Sequence, residues 1–150
     1  EIQMSRVTNG PAVNQYMQTS AANVFACGNV VHVNDLVDNV SKESQKAGKF
    51  AAEYAKGTIP VTVKTVENVP GENVRYLCPQ SIAVPEESEK VSLYFRVLHP
   101  DQNVTIVAKS GDKVLASKKA KRVNPGEMEH IDFNTDGITE NVTVEVVKEA

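Results

Sequence analysis

The chain has 150 residues and a formal net charge of −3, with 41% apolar and 5% aromatic residues. This length accommodates one domain or two small ones, and the apolar content supports a packed, mainly aliphatic core. Acidic and basic residues are well mixed, so bulk charge gives no reason to expect nucleic-acid binding. No apolar stretch is long enough to span a membrane, and the N-terminus lacks the pattern of a signal peptide.

The two cysteines, Cys27 and Cys78, stand far apart and form no CxxC motif. In a chain of this length they indicate free thiols in a cytoplasmic protein, with a single long-range disulfide as the alternative. The histidines show no spacing typical of metal ligands, which argues against a metal site. His32 has no partner at a recognisable spacing, so it is expected to be a partly exposed connector residue, although a place near a ligand remains open.

The N-terminal third contains a turn, a short apolar run and a helical pattern. Asn9-Gly10-Pro11 is a turn signal. The run at 23–27 is almost entirely apolar, which suits a strand buried on both faces of a parallel sheet. Gly28-Asn29 ends that run, and a glycine there allows the backbone to approach a ligand closely.

A helix is predicted after the connector at 30–34, with Asn34 or Asp35 as its N-cap. Gly57 should end the helix, with Pro60 just beyond it. Gly48 inside the helix predicts a close packing contact, whereas Glu43, Gln45 and Lys46 are expected to face solvent. The expected buried stripe is Leu36, Val37, Val40, Ser44, Ala47, Phe50, Ala51, Tyr54 and Ala55.

The segment TSAANVFACGN resembles the second flavin-binding motif of the pyridine nucleotide-disulphide oxidoreductase class. The matching residues are Thr19, Val24, Phe25, Ala26, Gly28 and Asn29. The following KAGKFAAEYA resembles the family's AAG-x-x-AA helix, and the likeness covers roughly the first third of the chain. The most similar members are the NAD(FAD)-dependent dehydrogenase-like proteins associated with anaerobic glycerol-3-phosphate dehydrogenase.

The resemblance implies that this chain is the C-terminal portion of an FAD-dependent NAD(P)H oxidoreductase. Gly28 and Asn29 would contact the ribityl chain of FAD, and Val40 and Ser41 would lie near the flavin ring. The family has an aspartate after the glycine; Asn29 can still accept a hydrogen bond but carries no charge. The flavin performs the chemistry in such enzymes, so no catalytic residue is expected in this chain.

The resemblance also implies partners. FAD and NAD domains of the same polypeptide would precede Glu1, because the glycine-rich pyrophosphate loop is absent from the sequence. A dehydrogenase subunit is a further possible partner of the whole enzyme. We therefore expect the 150-residue piece to retain no FAD and to have no oxidoreductase activity of its own.

The remaining residues predict a second domain. Residues 1–58 would be the end of the FAD-binding domain, and 59–150 an antiparallel β-sandwich of immunoglobulin-like architecture. Strands are predicted at 61–66, 74–84 with an interruption at Pro79, 90–98, 102–109, 113–122, 127–133 and 141–148. The basic run at 118–122 is typical of a solvated edge strand, with an anion or partner site as the alternative.

The competing interpretation is a non-catalytic binding module. In that case the sandwich is the functional unit and residues 1–58 are an arm that packs on it or on a second copy. An unpaired apolar strand and an amphipathic helix would have surface to bury, so a homodimer is the expected assembly.

Overall fold

A computed structural model describes residues 1–148, and within this range the chain is an α+β protein rich in β-structure. It contains one α-helix, eight strands and two short 3-10 helices. Their bounds are Gly28–Val30 (3-10), α1 Val37–Lys56, β1 Thr62–Pro70, β2 Val74–Cys78, β3 Ser81–Pro85, β4 Lys90–Val97, β5 Asp101–Ser110, β6 Lys113–Val123, β7 Glu129–Asn134, Thr135–Gly137 (3-10) and β8 Val142–Lys148.

The strands form two sheets. The larger has five strands in the order β3-β1-β8-β5-β6, and the smaller has three in the order β2-β4-β7. All pairings are antiparallel except that of β1 with β8, which is parallel. The predicted strand at 74–84 is interrupted at Pro79, as expected, and its two halves enter different sheets as β2 and β3.

The two sheets share one hydrophobic core, which the alternation of apolar residues predicted correctly. In β4, Val91, Leu93, Phe95 and Val97 are all at most 2% exposed, while the residues between them are partly exposed. The same alternation buries one face of β5, β7 and β8. Strands with this period fold with one apolar face inward, because successive side chains point to opposite sides.

The strand predicted at 23–27 is wrong. Phe25 forms a single isolated bridge with Gln18, and the residues from Val24 to Cys27 are only partly buried. The backbone folds back on itself here, since the Ala26 amide donates to the Met17 carbonyl. No neighbouring strand is present among residues 1–148 to complete a parallel sheet around this run.

Helix α1 ends as predicted, with Gly57 in the left-handed conformation at φ 73°. Its start is different: Leu36 occupies the N-cap position, and its apolar side chain makes no capping hydrogen bond. Asp35 is unavailable because its carboxylate accepts hydrogen bonds from Arg96 and from the Met128 amide. The predicted capping residue Asp35 therefore serves a tertiary contact instead.

The buried face of α1 is narrower than predicted. Only Ala47 is fully buried, whereas Leu36 is 63% exposed and Val37 is 75% exposed. Glu43 lies on the packed side, contrary to the expected solvent position. The packing explanation for Gly48 is also wrong, because a Cβ atom there would meet nothing within 4 Å.

A second, smaller cluster lies between the N-terminal segment, α1 and β2. Its buried members are Val13, Met17, Val31, Ala47, Tyr76 and Cys78. Two hydrogen bonds anchor the segment nearby: Val13 N–H donates to Gln80 Oε1, and Gln80 N–H donates to the Val13 carbonyl. Residues from both sides of the predicted boundary at 58 thus contribute to one cluster.

Candidate functional site

The turn at Gly28 brings the connector against the helix. Gly28 is buried with φ 76°, a left-handed conformation that side chains other than glycine seldom adopt. A Cβ atom on it would lie 3.4 Å from Val40 Cγ1, which places the turn directly beside α1. Glycine is therefore required at this position by the backbone conformation.

A buried polar network joins the turn, the helix and the small sheet. Glu43 Oε2 accepts a hydrogen bond of 2.8 Å from the Gly28 amide. Glu43 Oε1 lies 2.8 Å from His32 Nε2, and His32 Nδ1 lies 3.2 Å from the Tyr76 hydroxyl. Because an ionised carboxylate only accepts, Nε2 donates to Glu43, and in the neutral ring Nδ1 accepts from Tyr76.

The network is almost completely shielded from solvent. The His32 side chain is 1% exposed and that of Glu43 is 12% exposed. Burial raises the pKa of Tyr76, so its hydroxyl stays protonated at neutral pH. Polar groups buried in this way are costly unless each has a partner, so the network fixes one position of the connector against α1.

Neither central member of this network was predicted from the sequence. His32 was expected to be a partly exposed connector residue, and it is buried instead, which corrects that prediction. For Glu43 a signal existed, since it shares helical spacing with Val40, Ala47 and Phe50. For His32 the partners lie 11 and 44 residues away, and no local pattern points to them.

The four residues implied by the flavin resemblance divide into two pairs. We refer to the turn at Gly28 and Asn29, the connector and the start of α1 together as the corner. On its inner side Gly28 lies against Val40, and the Gly28 amide donates a hydrogen bond to Glu43. Asn29 and Ser41 are exposed. Asn29 Oδ1 accepts a hydrogen bond of 3.2 Å from the Asn34 amide, which holds the side chain beside the connector.

An exposed apolar surface borders this corner. Val30, Val33, Leu36 and Val37 are 62%, 63%, 63% and 75% exposed, respectively. They follow Asn29 in the sequence and lead into the first turn of α1. In that turn the Asn39 amide donates to the Leu36 carbonyl, and the N-cap residue supplies no side-chain acceptor to the other amides.

One charged contact holds the connector on the small sheet. Arg96 Nη2 donates to Asp35 Oδ1 at 2.6 Å and to the Val33 carbonyl at 3.0 Å. Burial acts to raise the pKa of Asp35, but the hydrogen bonds from Arg96 and the Met128 amide outweigh it and lower the pKa. The start of α1 is therefore fixed by β4 and by the residue preceding β7.

The two cysteines and His130 lie outside the polar network. Cys27 and Cys78 are free thiols, and burial raises the pKa of Cys78, which leaves it unreactive. His130 is exposed and stacks near Tyr94 at 5.6 Å between ring centroids. Within residues 1–148, no three histidine, cysteine or acidic side chains come together as metal ligands would. The basic run lies on β6, an edge strand as predicted.

Comparison with known proteins gives no match to any family model, curated protein or solved structure. Among the described residues, no helix is both long enough and apolar enough to cross a bilayer.

Proposed function

We propose that this chain is the C-terminal portion of an FAD-dependent NAD(P)H oxidoreductase and provides one wall of the flavin site. The observation that carries the proposal is the exposed corner at Asn29. There the exposed Asn29 is followed closely in sequence by exposed valine and leucine side chains and by a helix start whose N-cap residue makes no side-chain capping bond. The ribityl chain of FAD needs polar contacts, and its flat aromatic ring needs apolar ones.

The residues at the corner fit a flavin. The Asn29 amide is exposed and suits the hydroxyl groups of the ribityl chain. The first-turn amides of α1 suit an electron-rich edge of the flavin ring, because a helix start carries partial positive charge. Gly28 and Val40 support the turn from inside, and Ser41 lies on the exposed side. FAD, when bound, would supply the redox chemistry; this chain would bind and orient it.

The same surface supports the proposed partners. The exposed apolar strip would be covered by FAD and NAD domains of the same polypeptide, with a dehydrogenase subunit as a further partner. The two free cysteines support a cytoplasmic location. We also propose an immunoglobulin-like architecture for 59–150, supported by the two sheets around one core.

The test is the visible absorbance of two proteins: the 150-residue chain, and the same chain expressed with the coding sequence that precedes Glu1. A flavin spectrum in the longer protein alone supports the proposal. Asn29→Ala should then weaken FAD retention by roughly 2- to 12-fold, the value of one hydrogen bond. Asn23→Ala, at an exposed asparagine before the turn, is the matched control. Colourless samples that remain so after FAD addition would contradict the proposal.

A second candidate is a non-catalytic binding module that self-associates through the exposed strip. The observation in its favour is that the two sheets enclose a complete core without help from residues 1–58. Light scattering at high protein concentration distinguishes the two functions. A dimer mass that Val33→Lys converts to a monomer supports the module, whereas a monomer at all concentrations excludes self-association.

A further inference from the structure

A small cavity lies between α1 and the outer face of the three-stranded sheet, next to Glu43 of the polar network. Its volume is about 50 Å³. Its inner wall is apolar and buried, formed by Met17, Cys78 and Pro79. Since a water molecule needs about 10–15 Å³ by this measure, the cavity accommodates a ligand of about four or five non-hydrogen atoms.

The opposite wall is polar and positively charged. Lys42 and Lys46 lie one helical turn apart on α1, and neither forms a salt bridge within residues 1–148. Glu43 also lines the cavity, but its two carboxylate oxygens are engaged by His32 and Gly28. With two lysines and one glutamate, the formal charge of the lining is +1.

Strand β4 adds two hydroxyl groups. Ser92 and Tyr94 point from the outer face of the strand into the cavity. Burial raises the pKa of Tyr94, so its hydroxyl remains a hydrogen-bond donor at neutral pH. The Ser92 hydroxyl donates to the Asp132 carboxylate, so Tyr94 supplies the hydroxyl donor. Two cations and this hydroxyl on one side and an apolar wall on the other match a small amphipathic anion.

We propose that this cavity binds a short-chain monocarboxylate of the size of acetate or propionate. The carboxylate would lie against Lys42, Lys46 and Tyr94, and the alkyl group against Met17 and Pro79. The backbone gives independent support, because Met17 has φ 61°, a conformation that is uncommon for residues with a long side chain. Such residues are concentrated at ligand sites. The inference does not depend on the flavin proposal.

The direct test is an NMR titration of the 150-residue chain with sodium propionate at constant ionic strength. Saturable shifts of the amide signals of Met17, Ser92 and Tyr94 are expected. Propionamide, which has the same shape without the charge, should produce much weaker binding. Propionamide binding as tight as propionate, or sodium phosphate shifting the same signals equally, would overturn the assignment to a carboxylate. Shifts that never saturate would overturn the site itself.

Substitutions of the lining residues then test which side chains bind the carboxylate of propionate. Lys42→Gln and Lys46→Gln should each weaken propionate binding about two- to fivefold, as expected for a partly solvent-screened charge pair. Lys56→Gln, on the last turn of the same helix and outside the cavity, is the control and should bind normally. Tyr94→Phe keeps the ring and should also weaken binding. Unchanged affinity in all three cavity variants, with unchanged spectra of the free proteins, would contradict the proposal.

Discussion

The core between the two sheets and the cluster beneath α1 are held together by different kinds of interaction. The sheet core consists of apolar side chains, and its largest members, such as Phe95 and Leu93, are 0% exposed. The cluster beneath α1 has few apolar members and depends on the hydrogen bonds of Glu43 and His32. The sheets are thus stabilised by the burial of apolar surface, which is not directional. The corner is stabilised by hydrogen bonds, each of which requires a donor and an acceptor at a specific distance and angle.

The largest effect should come from the sheet core. Phe95→Ala removes a fully buried ring and leaves a cavity, so it should lower the free energy of unfolding by about 3–5 kcal/mol. Urea denaturation followed by circular dichroism measures this loss. The control is Phe50→Ala on α1, whose ring is only partly buried and should cost less. Equal losses would mean that the two regions do not differ as described.

The polar network provides the next largest effect. Glu43→Ala leaves the Gly28 amide and His32 Nε2 without their acceptor, and an unsatisfied buried polar group costs about 1–3 kcal/mol. Gln45→Ala, an exposed position on the same helix, should change stability by less than about 0.5 kcal/mol. If urea unfolding gives the same stability for both variants, the network does not hold the corner together.

Replacement of Gly48 should increase the stability of the protein. A side chain there meets no atom within 4 Å, and the residue is exposed in the middle of α1. Gly48→Ala should therefore stabilise the protein by about 0.5–1 kcal/mol through helix propensity alone. Thermal unfolding measures it. A loss of stability would restore the packing role that the sequence suggested.

The smallest effect concerns pH. The pKa of Asp35 is below its ordinary value of 3.8 in the folded chain, so its contribution is present at pH values above 3.8 and is lost as the pH falls through the folded pKa. Asp35→Asn should therefore make stability less sensitive to acid in this range, by at most about 1 kcal/mol because the carboxylate is partly exposed. Parallel acid titrations of both proteins, followed by fluorescence of the tyrosines, provide the comparison. Identical acid transitions would show that Asp35 contributes nothing.

The two regions also differ in how far the sequence predicts them. The alternation of apolar and polar residues predicted the strands and their inward faces, because a period of two residues between frequent turns is typical of a strand with one buried face. It did not predict that β1 pairs in parallel with β8, since pairing order depends on contacts between distant segments. Gly57 marked the helix end correctly because its signal is local.

The corner was harder to predict because its determinants are distant in sequence. The apolar run at 23–27 is short enough to fit a buried strand or a packed loop, and only the absence of neighbouring strands among residues 1–148 separates the two. The helix begins later than predicted because Arg96, 61 residues away in the sequence, binds Asp35, one of the expected capping residues. The exposure of Asn29 and its neighbours likewise follows from tertiary packing rather than from the motif.

Amide hydrogen exchange of the 150-residue chain tests the difference between the two regions most directly. We predict that amides of α1 and Gly28 open with a smaller free energy than those of β5 and β8. Glu43→Ala should lower the opening free energy of the α1 and Gly28 amides and leave that of the β5 and β8 amides unchanged. Equal opening free energies in both regions, lowered together by Glu43→Ala, would contradict it and show a single cooperative unit.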